Sequence, residues 1–123
     1  MSNTTPIQYF DFQKLEVYRK GQRFHLLCKS LLRSQKLEKH VCDQILRSSH
    51  SIVLNTAEGC GRSTPADRKH FFTIARASIF ECVAIMDMIL EERKIAASDY
   101  NEYLKLCDEV SKMLYVMIRK LNS

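Results

Sequence analysis

Apolar residues in this chain recur every three or four positions, in four successive runs separated by short polar or glycine-containing breaks. That is the period of one helix face; the alternation of a half-buried strand is absent. The first run predicts a helix over residues 11–33, with Asp11 as N-cap and Leu15, Tyr18, Phe24, Leu27, Cys28 and Leu31 facing inward. Gly21 interrupts it at a cost of about 1 kcal/mol relative to alanine, which implies close packing or a kink. A polar connection over residues 34–38 leads to a second helix over 38–60. Gly59 and Gly61 would end that helix in left-handed backbone. Thr64, Pro65 and Asp67 then supply an N-cap, a first-turn proline and a first-turn acid. The third helix runs to about Lys94. Its apolar set, Phe71, Phe72, Ile74, Ala75, Ile79, Cys82, Val83, Met86, Ile89 and Leu90, is wide enough to be buried on more than one side. Ser98 and Asp99 cap a fourth helix with Leu104, Cys107, Val110, Leu114, Met117, Ile118 and Leu121 inward. Four helices with such short connections imply an all-α, antiparallel up-down four-helix bundle over residues 11–123, preceded by a polar tail over residues 1–10.

The second helix carries two stripes. Val41, Ile45, Ser49, Ile52 and Thr56 draw a small, mostly apolar face. Beside it, Gln44, Arg47, Ser51, Asn55, Glu58 and Arg62 draw a polar ladder along the flank, where neighbouring helices or subunits meet in bundles. Either the ladder lines a wet face, or Arg47, Asn55 and Glu58 join a buried network that fixes helix or subunit register. The second reading requires mutual pairing, because a lone buried charge costs several kcal/mol. About three turns separate Arg47 from Glu58, so any pairing between them runs across helices or subunits.

Composition narrows the picture. Five glycines and prolines in 123 residues suit long helices. No run approaches the 18 or so apolar residues of a membrane span. The start of the chain lacks the pattern of a signal peptide, so a cytoplasmic protein is expected. Cys28, Cys42, Cys60, Cys82 and Cys107 form no C-x-x-C pair and read as small core residues; Cys60, between two glycines, is the one most open to exposure. The net charge of +5 sits in the first part of the chain: +5 over residues 11–40, +2 over 41–76 and −2 over 77–123. Such a bias suits phosphate contact. Its candidates are Arg19 and Arg23 on one face of the first helix, Lys29, Arg33 and Lys36 on another, and Arg62, Arg68 and Lys69 at the second junction. Aromatic interleaving is poor, so any nucleic acid would be held by its phosphates with little sequence selectivity.

No catalytic or metal constellation emerges. A carboxylate-bridged metal site in a bundle needs two Glu-x-x-His pairs and two further glutamates. Only Asp67-x-x-His70 has the spacing, and a first-turn acid already suits the helix dipole. Ser48, Ser49 and Ser51 surround His50 but point in different directions from it. No enzyme activity and no cofactor are expected.

The run Gln44-x-x-Arg47, Ser51-Ile52, Asn55-x-Ala57-Glu58-Gly59, Gly61-Arg62 resembles the signature of the bacterial four-helix-bundle proteins encoded in 23S ribosomal RNA intervening sequences. Phe12-x-x-Leu15-x-Val17-Tyr18 is similar to that family's opening. Phe72, Ile74, Ala75, Ser78, Ile79 and Glu81 are similar to its third-helix segment, with Ala77-Ser78 where the family usually has Gly-Ser. The resemblance spans roughly residues 10–121. It implies a homopentameric ring, and a related branch serves as the accessory variability determinant of diversity-generating retroelements, binding a reverse transcriptase and nucleic acid. The implied partners are thus further copies of the chain, RNA or DNA, and a reverse transcriptase or other protein. The alternative is a protein-partner-binding scaffold with no nucleic-acid role.

Overall fold

The computed structural model describes residues 4–34 and 37–122; Lys36 lies outside them. A 3-10 turn at Asp11–Lys14 precedes α1 (Glu16–Ser34), α2 (Lys39–Gly61), α3 (Pro65–Glu91) and α4 (Ala97–Leu121). Each helix packs on its neighbour in sequence and α1 closes on α4, which gives the up-down bundle.

The first helix differs from expectation at its start. The Gln13 side chain accepts from the Phe10 backbone N–H at 3.0 Å, which closes the 3-10 turn, and Leu15 is extended before α1 begins at Glu16. Leu15 is therefore 38% exposed, and Val17 takes the inward place beside Phe24, Cys28 and Leu31. Gly21 is buried with no break in the helix. A methyl there would meet Ile52 and Val53 of α2 at 3.7 Å, an ordinary contact distance.

The end of α2 also differs. No glycine has positive φ. Gly59 is buried because a methyl at that position would lie 2.5 Å from the Phe72 ring, so its role is close approach of α3. Small polar groups are also buried, Ser48, Ser49 and Thr56 on α2 and Ser78 on α3. The expected start of α3 is present, with Thr64 Oγ1 accepting from the Asp67 N–H at 3.1 Å and Pro65 as first residue.

α3 stops at Glu91, short of Lys94, and the stop is made without glycine. Arg93 takes φ 58°, and the Lys94 and Arg93 N–H groups reach back to the Ile89 and Leu90 carbonyls at 3.0 and 2.9 Å. α4 begins a residue earlier than its expected caps. Ala96 is the N-cap, without a side-chain bond, and Asp99 sits in the first turn. The inward set of α4 adds Tyr103 and Leu106 to Cys107, Val110 and Leu114, whereas Leu104 is half-buried. The Tyr103 hydroxyl donates to the Leu27 carbonyl of α1, and its ring meets Phe24 edge-on at 6.3 Å. Such a bond lets a tyrosine be buried without leaving a polar atom unmatched.

Candidate functional site

The α2 ladder divides into two parts within one chain. Asn55 Nδ2 donates to the Ser51 carbonyl and hydroxyl, both at 2.9 Å, and Ser51 Oγ meets Ser78 Oγ of α3 at 2.8 Å. This polar chain ties α2 to α3. Further along, Glu58 and Arg62 form a 3.0 Å pair one turn apart, with side chains 49% and 43% exposed. The Arg62 guanidinium also lies 4.5 Å from the centre of the Phe71 ring. Gln44 is half-buried. Arg47 is exposed, and among the described residues it makes no hydrogen bond or ion pair. Arg47, Asn55 and Glu58 thus do not meet inside one protomer, and Glu58 holds no buried arginine there.

The basic candidates fall into two groups. Arg19, Arg23, Lys29 and Arg33 are all exposed on α1. At about 100° per residue they lie within roughly 120° of rotation, so they form one stripe where two faces were expected. Arg19 also donates to the Gln13 carbonyl at 3.4 Å and to Gln8 at 3.3 Å, which draws the tail toward the stripe. Lys36, expected on one face with Lys29 and Arg33, lies outside the described residues. At the α2–α3 junction Arg62 and Lys69 are exposed, but Arg68 is half-buried and already engaged. Its guanidinium donates to the Gly59 and Cys60 carbonyls at 3.2 Å each, capping the last turn of α2. Charge reversal at Arg68 would strip that cap, so Arg68 belongs to the fold and Lys69 alone remains from the expected pair.

Other chemistry-bearing groups are dispersed. Among the described residues no group of three or more metal-ligating side chains converges. Among the described residues His50 bonds to no serine, but His25 of α1 meets Ser49 of α2, Nδ1 to Oγ at 2.6 Å, with the His50 ring 5.4 Å away. Burial, then the charges of Lys29 and His50, hold His25 below the usual histidine value. All five cysteines are free, and burial pushes Cys82 up to about 12 and raises Cys28 and Cys107 as well. Cys60 is half-buried, with burial raising its thiol too.

One feature is new relative to the sequence. α3 and α4 leave a groove of about 610 Å³ between them and an adjoining hollow of about 400 Å³; Arg76 and Phe80 line both, Tyr115 lines the second, and the Arg76 guanidinium lies against both rings. The rings are 59% and 49% exposed. They come from helices 35 residues apart in sequence, so no local spacing could signal the pair.

The described chain is thus an all-α up-down bundle whose core is apolar but for four small hydroxyl residues, Ser48, Ser49, Thr56 and Ser78, with no helix long and apolar enough to cross a membrane. Residues 13–116 match the 23S rRNA-intervening sequence proteins, and the chain belongs to that family. A protein of unknown function from the S23 ribosomal protein family of Bacteroides thetaiotaomicron is 24% identical. It superposes with a TM-score of 0.78 over 83% of this chain and 97% of that one. At that identity the likeness speaks for the fold alone. No curated protein matches the chain.

Proposed function

We propose that this chain is a non-catalytic, homo-oligomeric scaffold that engages RNA or DNA through its basic surface. The observation that carries the assembly is the apolar excess of α3. Its inward side is filled by Phe72, Ala75, Ile79, Cys82, Ile85, Met86 and Ile89, yet Met88 is 57% exposed, and Leu54 of neighbouring α2 is 53% exposed. Single exposed apolar residues are ordinary. Here they flank the helices that carry the Ser51–Asn55–Ser78 chain and the unpaired Arg47, so a second copy would cover apolar surface and offer Arg47 a partner. A pentamer is the state the family resemblance implies. Five unpaired cysteines suit a reducing, cytoplasmic setting.

The nucleic-acid half rests on the α1 stripe of Arg19, Arg23, Lys29 and Arg33, repeated once per protomer. Repetition lets modest contacts combine by avidity, and phosphate contact makes affinity fall steeply with salt. Fluorescence anisotropy over a salt series, with single-stranded RNA, structured ribosomal RNA fragments and duplex DNA, tests it. The expected result is binding that weakens along a linear log–log salt plot and is reduced by Arg19→Glu with Arg23→Glu. Absence of binding below about 10 μM at low salt, where charges are least screened, refutes it and leaves a protein-partner scaffold, a reverse transcriptase being one such partner.

A further inference from the structure

The α3–α4 groove contains an arginine without an acid. Arg76 is half-buried and donates from Nε to Ser111 Oγ at 3.2 Å. Its guanidinium carbon lies 5.2 Å from the Phe80 ring centre and 5.3 Å from that of Tyr115. Among the described residues no carboxylate pairs with it. A guanidinium fixed in this way keeps terminal N–H donors for an incoming anion and loses little freedom on binding one. Lys105, Asp108 and Lys112 also line the groove, so its walls hold three cations against one acid, even though residues 77–123 are net acidic.

We infer that the groove between α3 and α4 binds single-stranded nucleic acid, with bases stacked on Phe80 and Tyr115 and a phosphate on Arg76. The inference rests on the nucleic-acid reading above and adds a base-contacting site on a different face from the α1 stripe. Charge complementarity selects the ligand: Arg76 and Lys105 remain as cations once Lys112 pairs with Asp108 at 2.8 Å, the Phe80 ring stands in the same groove and the Tyr115 ring in the adjoining hollow, and a single strand supplies phosphates and unstacked bases at short intervals. A duplex keeps its bases stacked away from such rings. Phe80 and Met88 are eight residues apart, about 80° round the helix, so this platform is offset from the proposed assembly face.

Anisotropy with a labelled single-stranded RNA, single-stranded DNA of the same sequence and an abasic strand of the same length tests the inference. Phe80→Ala and Tyr115→Ala are expected to bind the base-bearing strands roughly 5- to 100-fold more weakly. They should bind the abasic strand as the parent does, with particle mass unchanged. Tyr115→Phe, which keeps the ring, should restore binding. If both alanine variants bind like the parent while the Arg19→Glu, Arg23→Glu protein loses affinity, the groove is not the site and phosphate contact on α1 stands. If the parent binds no strand, both readings fall. A lower particle mass in either alanine variant overturns the inference by assigning the rings to self-association.

Discussion

Alanine at each of the three glycines gives a sharp test of the packing, because the structure assigns the same added methyl three different surroundings. At Gly59 the methyl would lie 2.5 and 2.6 Å from two atoms of the Phe72 ring, and Phe72 is itself 3% exposed, so the ring cannot swing into solvent. Overpacking of this kind costs about 1–3 kcal/mol. The gain in helix propensity returns at most about 1 kcal/mol. Gly59→Ala should therefore destabilise by about 1–2 kcal/mol, or roughly 4–8 °C in Tm. At Gly21 the nearest atoms are 3.7 Å away, so propensity wins and Gly21→Ala should stabilise by up to about 1 kcal/mol. At Gly61 nothing lies within 4 Å, and a smaller gain is expected at that last helical turn. Urea titrations followed by circular dichroism, at one fixed chain concentration because assembly shifts apparent stability, read all three. Phe72→Leu should cost less in the Gly59→Ala background than in the parent, since the two sites touch. Gly59→Ala at or above parental stability, or Gly21→Ala as damaging as Gly59→Ala, would refute the reasoning.

Arg93 holds a left-handed conformation that costs an L-residue about 1–2 kcal/mol, so Arg93→Gly should raise the urea midpoint despite glycine's greater unfolded-state freedom. Glu58→Ala should change the stability of a single protomer by less than about 0.5 kcal/mol, because the Glu58–Arg62 pair is exposed. A loss of several kcal/mol that grows on dilution would instead place Glu58 in a network between subunits. His25 protonates less readily folded than unfolded, so its penalty is absent above the unfolded value of about 6.5 and grows as pH falls below it. Thermal melts between pH 7.5 and 5.5 should show stability falling with acidity, and His25→Gln should flatten that slope; an unchanged slope would exclude His25 as its source.

The four helices were legible because each carries a long periodic run, and Thr64, Pro65 and Asp67 mark one start without ambiguity. What escaped was set by partners remote in sequence. Gly59 looks like a helix stop until Phe72 is laid against it, and Arg68 looks like a free surface charge until the α2 carbonyls are beside it. Tyr103 looks polar enough to face water until the Leu27 carbonyl is there to accept its proton. Arg93 breaks the usual preference for glycine at such a stop, so no residue type announced the end of α3. The ladder was legible as a stripe, but its division into a cross-helix hydrogen-bonded part and an exposed ion pair depended on the register of α3 against α2. The Arg76, Phe80 and Tyr115 cluster needed the register of α4 against α3.

Self-assembly is the premise on which both the buried role of the ladder and the avidity of the basic stripe depend. Light scattering coupled to size exclusion at micromolar concentration measures it directly. The account predicts a single species with a mass near five times the 14.4 kDa of one chain, dissociating when Leu54 and Met88 are both changed to glutamate. A monodisperse particle of 14.4 kDa at the same concentration would contradict it.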